Sequence, residues 1–295
     1  KAFNQTKKYW LSYLGRVNFR FKDKNYSNWL HWVKLQPRLR KLFGNSFLPH
    51  FDYGKGGRGW RDLWQDLLSL MFIEPKKTKA LILNNFKGVR IDGSNATIIA
   101  KDGKMTSDRN NIPRVWMDHG IWPYLTLNLY LKETGNLSIL NQQVTYFRDH
   151  LLSRTREVDL AFKQKEFVLR RKDNKIYKGS VLEHALLQQL VPFFNVGTHN
   201  IIRLENADWN DGLDMAADYG ESVAFSFMYA HNLKSLSLVL KSLNKEKVYL
   251  LKEISLLLDQ INQPINYNNF KEKQKRLQAF FQKTRNISGQ KKEID

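Results

Sequence analysis

Apolar residues recur at helical spacing along most of this chain, and the stretches that break the pattern are long, polar and rich in Gly, Trp and Asp. That alternation restricts the fold to helices packed on helices, with irregular segments at their ends. Residues 60–72 put Leu63, Leu67, Leu70 and Met71 on one side of a helix. Residues 180–194 form a second such pattern, with Ser180 placed to cap it. A third covers 114–134, and Gly135 stands where a helix C-cap belongs. Further helices are expected over 26–42, where Pro37 interrupts the pattern, and over 76–86, 137–154, 221–243, 245–262 and 268–285. Residues 163–178 alternate and predict a small hairpin, and 87–112 read as a long loop with strand fragments. Such a series suits an all-α toroid of paired helices whose loops build a site at one end. Solenoids and bundles pair helices too, so the pattern alone leaves them open.

The 295 residues, 42% of them hydrophobic, can bury a core in one or two domains. The chain has no cysteine, which excludes disulfides and thiolate sites and fits a reducing, cytoplasmic setting. No apolar run reaches the ~20 residues of a membrane span, so no membrane partner is expected. No signal-peptide pattern opens the sequence, and a first residue Lys1 rather than Met leads us to expect a processed or truncated start.

The net charge of +20 raises the question of nucleic acid. Its distribution answers against it. Residues 1–41 carry +10 and residues 271–295 carry +5, leaving +5 for the 229 between them. The excess lies at the two ends, without the interleaved aromatics of a strand-tracking groove, and no nucleic-acid partner is expected.

Three segments concentrate Trp, Asp, Arg and Gly, and five of the eight tryptophans lie in them. A carbohydrate site needs this mixture: an aromatic face stacks on the C–H face of a sugar, while carboxylates and guanidinium groups bond its hydroxyls. Trp60, Trp64 and Trp122 read equally well as core residues on helix faces. The first segment runs from Gly56 to Asp66. Its glycines admit close backbone approach, and Asp62, Gln65 and Asp66 share one face of the following helix as a hydroxyl-binding wall. The second runs from Arg114 to Pro123. Asp118-His119 raises a metal site or a proton relay, but no HExxH or similar ligand spacing accompanies it, so a hydrogen-bonded pair at a helix start is the better reading. The third is Asn206 to Asp214, in which Asp208 and Asp211 flank Trp209 and Asn210. A carboxyl beside Trp and a second carboxylate can have its pKa raised by desolvation and by the like charge, and in its protonated form it can donate to a glycosidic oxygen. The segment departs from the calcium-loop spacing, and an Asx-rich turn is the plain alternative.

These segments resemble, in order and with similar gaps, the blocks of glycoside hydrolase family 94, the cellobiose and laminaribiose phosphorylase family. Residues 56–66 resemble its G-x-x-x-R-D-x-x-Q-D block. Residues 114–136 resemble the D-D-H-x-W-L-P block and its following helix, 179–184 its L-x-E-H element, and 207–214 its D-W-N-D-G signature. The match spans roughly residues 25–240. The resemblance implies an (α/α)6 barrel, of which residues 26–295 hold roughly the N-terminal half, with residues 1–25 a lead-in from an N-terminal β-sandwich domain. It implies an inverting phosphorylase with inorganic phosphate as co-substrate and no cofactor. By this resemblance the general acid falls on Asp211, Arg61 and Asp62 hold the donor sugar, and Trp209 lies beside the scissile bond. Arg58, Asp118 and Asn210 complete the expected sugar site. Two departures bear on acceptor specificity: Lys55 and Arg58 stand in for an upstream Arg, and Met117 replaces the first Asp before Asp118.

A phosphorylase needs one acid plus cations for phosphate, whereas inverting hydrolysis needs a second carboxylate as base. The chain offers one strong acid candidate, so phosphorolysis of a β-linked glucosyl disaccharide or oligosaccharide is the expected reaction. An inverting hydrolase and an inactive carbohydrate-binding fragment are the alternatives. A homodimer is a further expectation for the full-length protein.

Overall fold

The computed structural model describes residues 1–43, 58–100, 103–106, 115–163, 166–205, 216, 218–243, 247–259 and 264–294. The fold is all-α in character, with eight α-helices among these residues. They are α1 (Ala2–Leu14), α2 (Lys24–Phe43), α3 (Trp60–Ile73), α4 (Pro75–Phe86), α5 (Ile121–Thr134), α6 (Val181–Phe194), α7 (Val223–Ser242) and α8 (Phe270–Thr284). The strands are short ribbons in the connections. α3 packs on α5 and α5 on α7, while α6 lies against both α4 and α8. The N-terminal ends of α3, α5 and α7 sit together, because the Trp60 indole donates to His119 O at 2.9 Å and the Tyr229 hydroxyl to Met117 O at 2.6 Å. α6 runs the other way: Gln189, near its C-terminal end, donates to Gly120 O at 2.6 Å. Parallel inner helices with antiparallel partners outside are the repeat of a helical toroid, and the described residues form part of one without closing a ring.

Packing holds these helices in place more than capping does. α3 has Gly59 at its N-cap and no side-chain cap, yet Trp60, Trp64, Leu67, Leu70 and Met71 are buried along it. At roughly 1.5–3 kcal/mol per buried large side chain, that face far outweighs a missing cap of about 1 kcal/mol. Trp60 and Trp64 thus belong to the core. α6 has both devices, since Ser180 Oγ accepts from Glu183 N at 3.1 Å and nearly every side of the helix is buried. Gly135 ends α5 in the left-handed conformation, φ 64°, where a side chain would be strained. On α7 the apolar Val223, Phe227 and Leu238 are exposed among the described residues.

Four expectations need correction. Pro37 does not interrupt α2, which runs through it. The helix is tethered on both sides of Pro37, Lys34 Nζ donating to Leu14 O and Val17 O, and Arg38 and Lys41 pairing with Glu74. The segment 114–134 is not one helix: a 3-10 turn over Met117–Gly120 precedes α5. Residues 137–154 are not a helix. A 3-10 turn over Leu137–Asn141 leads into a strand, Gln143–Thr145, which pairs antiparallel with Lys178–Ser180. Residues 245–262 likewise give the strand Val248–Leu251 and a 3-10 turn, Lys252–Leu257. Val248–Leu251 pairs with Lys291–Ile294, burying Leu250 and Leu251. β-branched and aromatic residues in both segments accept a strand once a distant partner supplies the ladder, and that partner is invisible to local periodicity.

Candidate active site

The first two motif segments meet at the shared N-terminal ends of α3 and α5. Arg61, in the first turn of α3, grips the Asp118 carboxylate through two nitrogens, Nη2 to Oδ1 at 2.8 Å and Nε to Oδ2. Asp118 Oδ2 also accepts from the Trp122 indole at 2.7 Å. Burial alone would push the Asp118 carboxyl up, but the hydrogen bonds and charge of Arg61 outweigh it and hold the group below the usual range. The Arg61 guanidinium in turn lies 5.5 Å from the centre of the Trp116 ring. The fork is therefore flat, aromatic-backed and fixed at both ends.

One turn of helix away, Asp66 is buried between two guanidinium groups, bonded to Arg40 at 2.8 Å and to Arg58. Burial raises its pKa, against the pull of Arg58 and Arg40. Asp62 is different. It meets Arg40 through Oδ1 only, its Oδ2 has no partner among the described residues, and 28% of its side chain is exposed against 9% for Asp66 and for Asp118. Of the expected wall, Asp66 is committed to positioning Arg58 and Arg40, Asp62 keeps an accessible carboxylate, and Gln65 is half-buried. Arg40 comes from α2 and carries no sequence signal for this role; its partners lie 22 and 26 residues away.

His119 is a buried neighbour of the site. Its Nδ1 faces the Asn95 amide at 3.1 Å, and burial lowers its pKa to about 4. An amide nitrogen can only donate, so the ring accepts there and is neutral. Among the described residues no group of three His, Asp or Glu side chains is placed to hold a metal ion. The L-x-E-H element proves to be a core device. Glu183 accepts from the hydroxyls of Tyr146 and Tyr177, both at 2.9 Å, and from Leu251 N at 2.8 Å. His184 stacks on Tyr146 with ring centres 3.6 Å apart.

Asp211, Trp209 and Asn210 of the third segment lie outside the described residues. Its flank does not. Leu204 packs against the cluster of Met117 and Ile121, and Glu205 accepts from the buried Arg154 at 2.9 and 2.6 Å. The chain entering the third segment is thus anchored at the end of the fold where Arg61 and Asp118 meet. Arg154 stands in the left-handed conformation between Ser153 and Thr155, which share it. Three such non-glycine residues in a row are strained and need the surrounding contacts to persist.

The family model described as glycosyl hydrolase 94 superfamily, catalytic domain, matches residues 9–155 and 156–294. The chain belongs to this superfamily. Solabiose phosphorylase of Paenibacillus borealis is 25% identical to it over 241 residues, 81% of this chain and 25% of that protein. The cyclic beta-(1,2)-glucan synthase NdvB of Rhizobium meliloti (strain 1021) is 23% identical over 227 residues, 76% of this chain and 7% of that protein. The chain thus spans a quarter or less of the length of these relatives. Family membership accounts for the order of the motif segments, and the toroid places the first two of them side by side. No helix among the described residues is long and apolar enough to cross a membrane.

Proposed function

We propose that this chain is part of the catalytic domain of an inverting glycoside phosphorylase. It acts on a β-linked glucosyl disaccharide or oligosaccharide, of cellobiose or laminaribiose type, and releases α-glucose 1-phosphate. Asp62 is the observation that carries this reading. Its carboxylate is accessible, keeps one oxygen unengaged among the described residues, and stands one residue from a guanidinium fork backed by Trp116. Such a group accepts a sugar hydroxyl. Asp211 is the general acid, protonating the leaving glycosidic oxygen while phosphate attacks the anomeric carbon from the opposite face. Superfamily membership and a relative named as a phosphorylase support phosphate over water as nucleophile. The deciding experiment follows phosphate consumption and glucose 1-phosphate formation by the full-length protein against β-linked glucose disaccharides and solabiose. Equal sugar cleavage in phosphate-free buffer would establish a hydrolase instead.

A further inference from the structure

A cavity of about 400 Å³ opens between α8, the turn after α6 and the Arg156 segment. Arg156, Arg203, Lys271 and Lys275 line it, and among the described residues no Asp or Glu does. The two lysines lie one helical turn apart on α8, whose opposite side buries Phe280 in the core. The one acid in the first turn of that helix, Glu272, is turned elsewhere, toward Arg276 and Asn266 N. Four cations therefore converge on one space; Arg156 has an acid nearby, Glu205 at 3.7 Å, but that carboxylate lies outside the lining and is already held by Arg154 at 2.6 Å.

Two buried donors at this cavity also lack an acceptor. Asn195 is 2% exposed. Its Oδ1 accepts from Arg156 Nη2 at 2.7 Å, and its Nδ2 is unpaired. Arg203 Nε is buried and unpaired as well. A buried donor left without a partner is destabilising, and an oxyanion supplies acceptors on every side. Burial presses the Arg156 pKa down, Glu205 counters it, and Arg154 and Arg203 press it down further. An incoming anion relieves that repulsion.

We propose that this cavity binds a phosphate group, either as free inorganic phosphate or as the phosphoryl end of a sugar phosphate. A tetrahedral dianion matches several converging cations better than a single carboxylate does. The cavity is roomier than a bare phosphate requires, and Leu277 and Phe281 in its lining offer an apolar wall to the C–H face of an attached sugar. The assignment does not depend on the reaction proposed above. The cavity shares no residue with the Arg61–Asp118 cluster, and binding is read without turnover.

Isothermal titration calorimetry on the 295-residue chain tests it, at constant ionic strength set by chloride, with inorganic phosphate, glucose 1-phosphate and glucose as separate titrants. One phosphate-bearing titrant should bind saturably, one per chain, while glucose gives no heat. Binding should weaken at least about tenfold in the Lys271→Gln/Lys275→Gln variant, whose changes lie on the exposed face of α8, and in Arg203→Gln. It should be unchanged in Lys132→Gln, which removes an exposed charge of α5 that does not line the cavity. Tighter binding of glucose 1-phosphate than of phosphate assigns the site to a phosphomonoester, and the reverse order assigns it to the free ion. No saturable binding of either, or binding that the lysine variant leaves intact while its thermal unfolding matches the parent chain, overturns the proposal.

Discussion

Arg61 and Asp118, 57 residues apart in sequence, form a two-pronged ion pair that ties the start of α3 to the turn preceding α5. Its geometry depends on a planar fork. Arg61→Lys keeps the charge but can bond only one carboxylate oxygen well. We expect kcat/KM of the full-length protein to fall about 10- to 100-fold, with the fold retained. An unchanged kcat/KM would mean that the fork does not shape the sugar site.

Asp211→Asn keeps the shape of the side chain but cannot deliver a proton. Turnover in the full-length protein should fall about 10²–10⁴-fold while sugar binding persists. Asp208→Asn should be milder, since Asp208 at most tunes or orients its neighbour. Near-normal turnover in Asp211→Asn would reassign the acid.

The buried His119 makes stability depend on pH. Its pKa is held down at about 4, against an ordinary 6.5. The unfolded chain therefore takes up a proton at a pH where the folded one does not. The resulting stability is complete above pH 6.5 and is lost as pH falls toward 4. The difference is worth about 3 kcal/mol. Urea unfolding at pH 7 and pH 4.5 should show a larger loss in the parent chain than in His119→Gln. Equal losses would place the acid sensitivity elsewhere.

Gly120 joins the 3-10 turn to α5 at a point with no room for a side chain. A Cβ there would stand 2.6 Å from the Tyr229 hydroxyl and 2.8 Å from Gln188 O. Tyr229 is pinned by its bond to Met117 O, so it cannot move aside freely. Gly120→Ala should cost about 1–3 kcal/mol, read as a lower denaturation midpoint. Pairing it with Tyr229→Phe should recover part of that loss, and a full additive loss would refute the clash.

The isolated 295-residue chain should release no measurable glucose 1-phosphate, whereas the full-length protein should release it. Val223, Phe227 and Leu238 leave an apolar stripe of α7 uncovered by the described residues, and the chain spans at most a quarter of its named relatives. Catalysis by positioning needs every wall of the site in place. The same stripe should make the chain associate as its concentration rises, visible in sedimentation velocity. Glucose 1-phosphate release by residues 1–295, abolished by Asp211→Asn, would contradict this directly.

Much of the framework was legible locally. α3, α4, α6, α7 and α8 bury faces whose residues are neighbours in sequence, so periodicity finds them. Ser180 marks the start of α6 and Gly135 the end of α5, because capping is a matter of the nearest few residues. The motif segments are legible for the same reason, since each is contiguous.

What lay beyond the sequence depends on partners far along the chain. Val248–Leu251 and Lys291–Ile294 are strands only because they meet. Asp62 and Asp66 look alike on one helix face. Arg40 and Arg58 bury and neutralise Asp66, and leave Asp62 with one oxygen and an exposed edge. The C-terminal basic excess carries no site signal in the sequence, yet Lys271 and Lys275 converge with Arg156 and Arg203 on one cavity. Apolar spacing and end residues mark where the helices run, because both are patterns among sequence neighbours. Ion pairing, strand pairing and charge convergence act through space, so only the packed fold decides them.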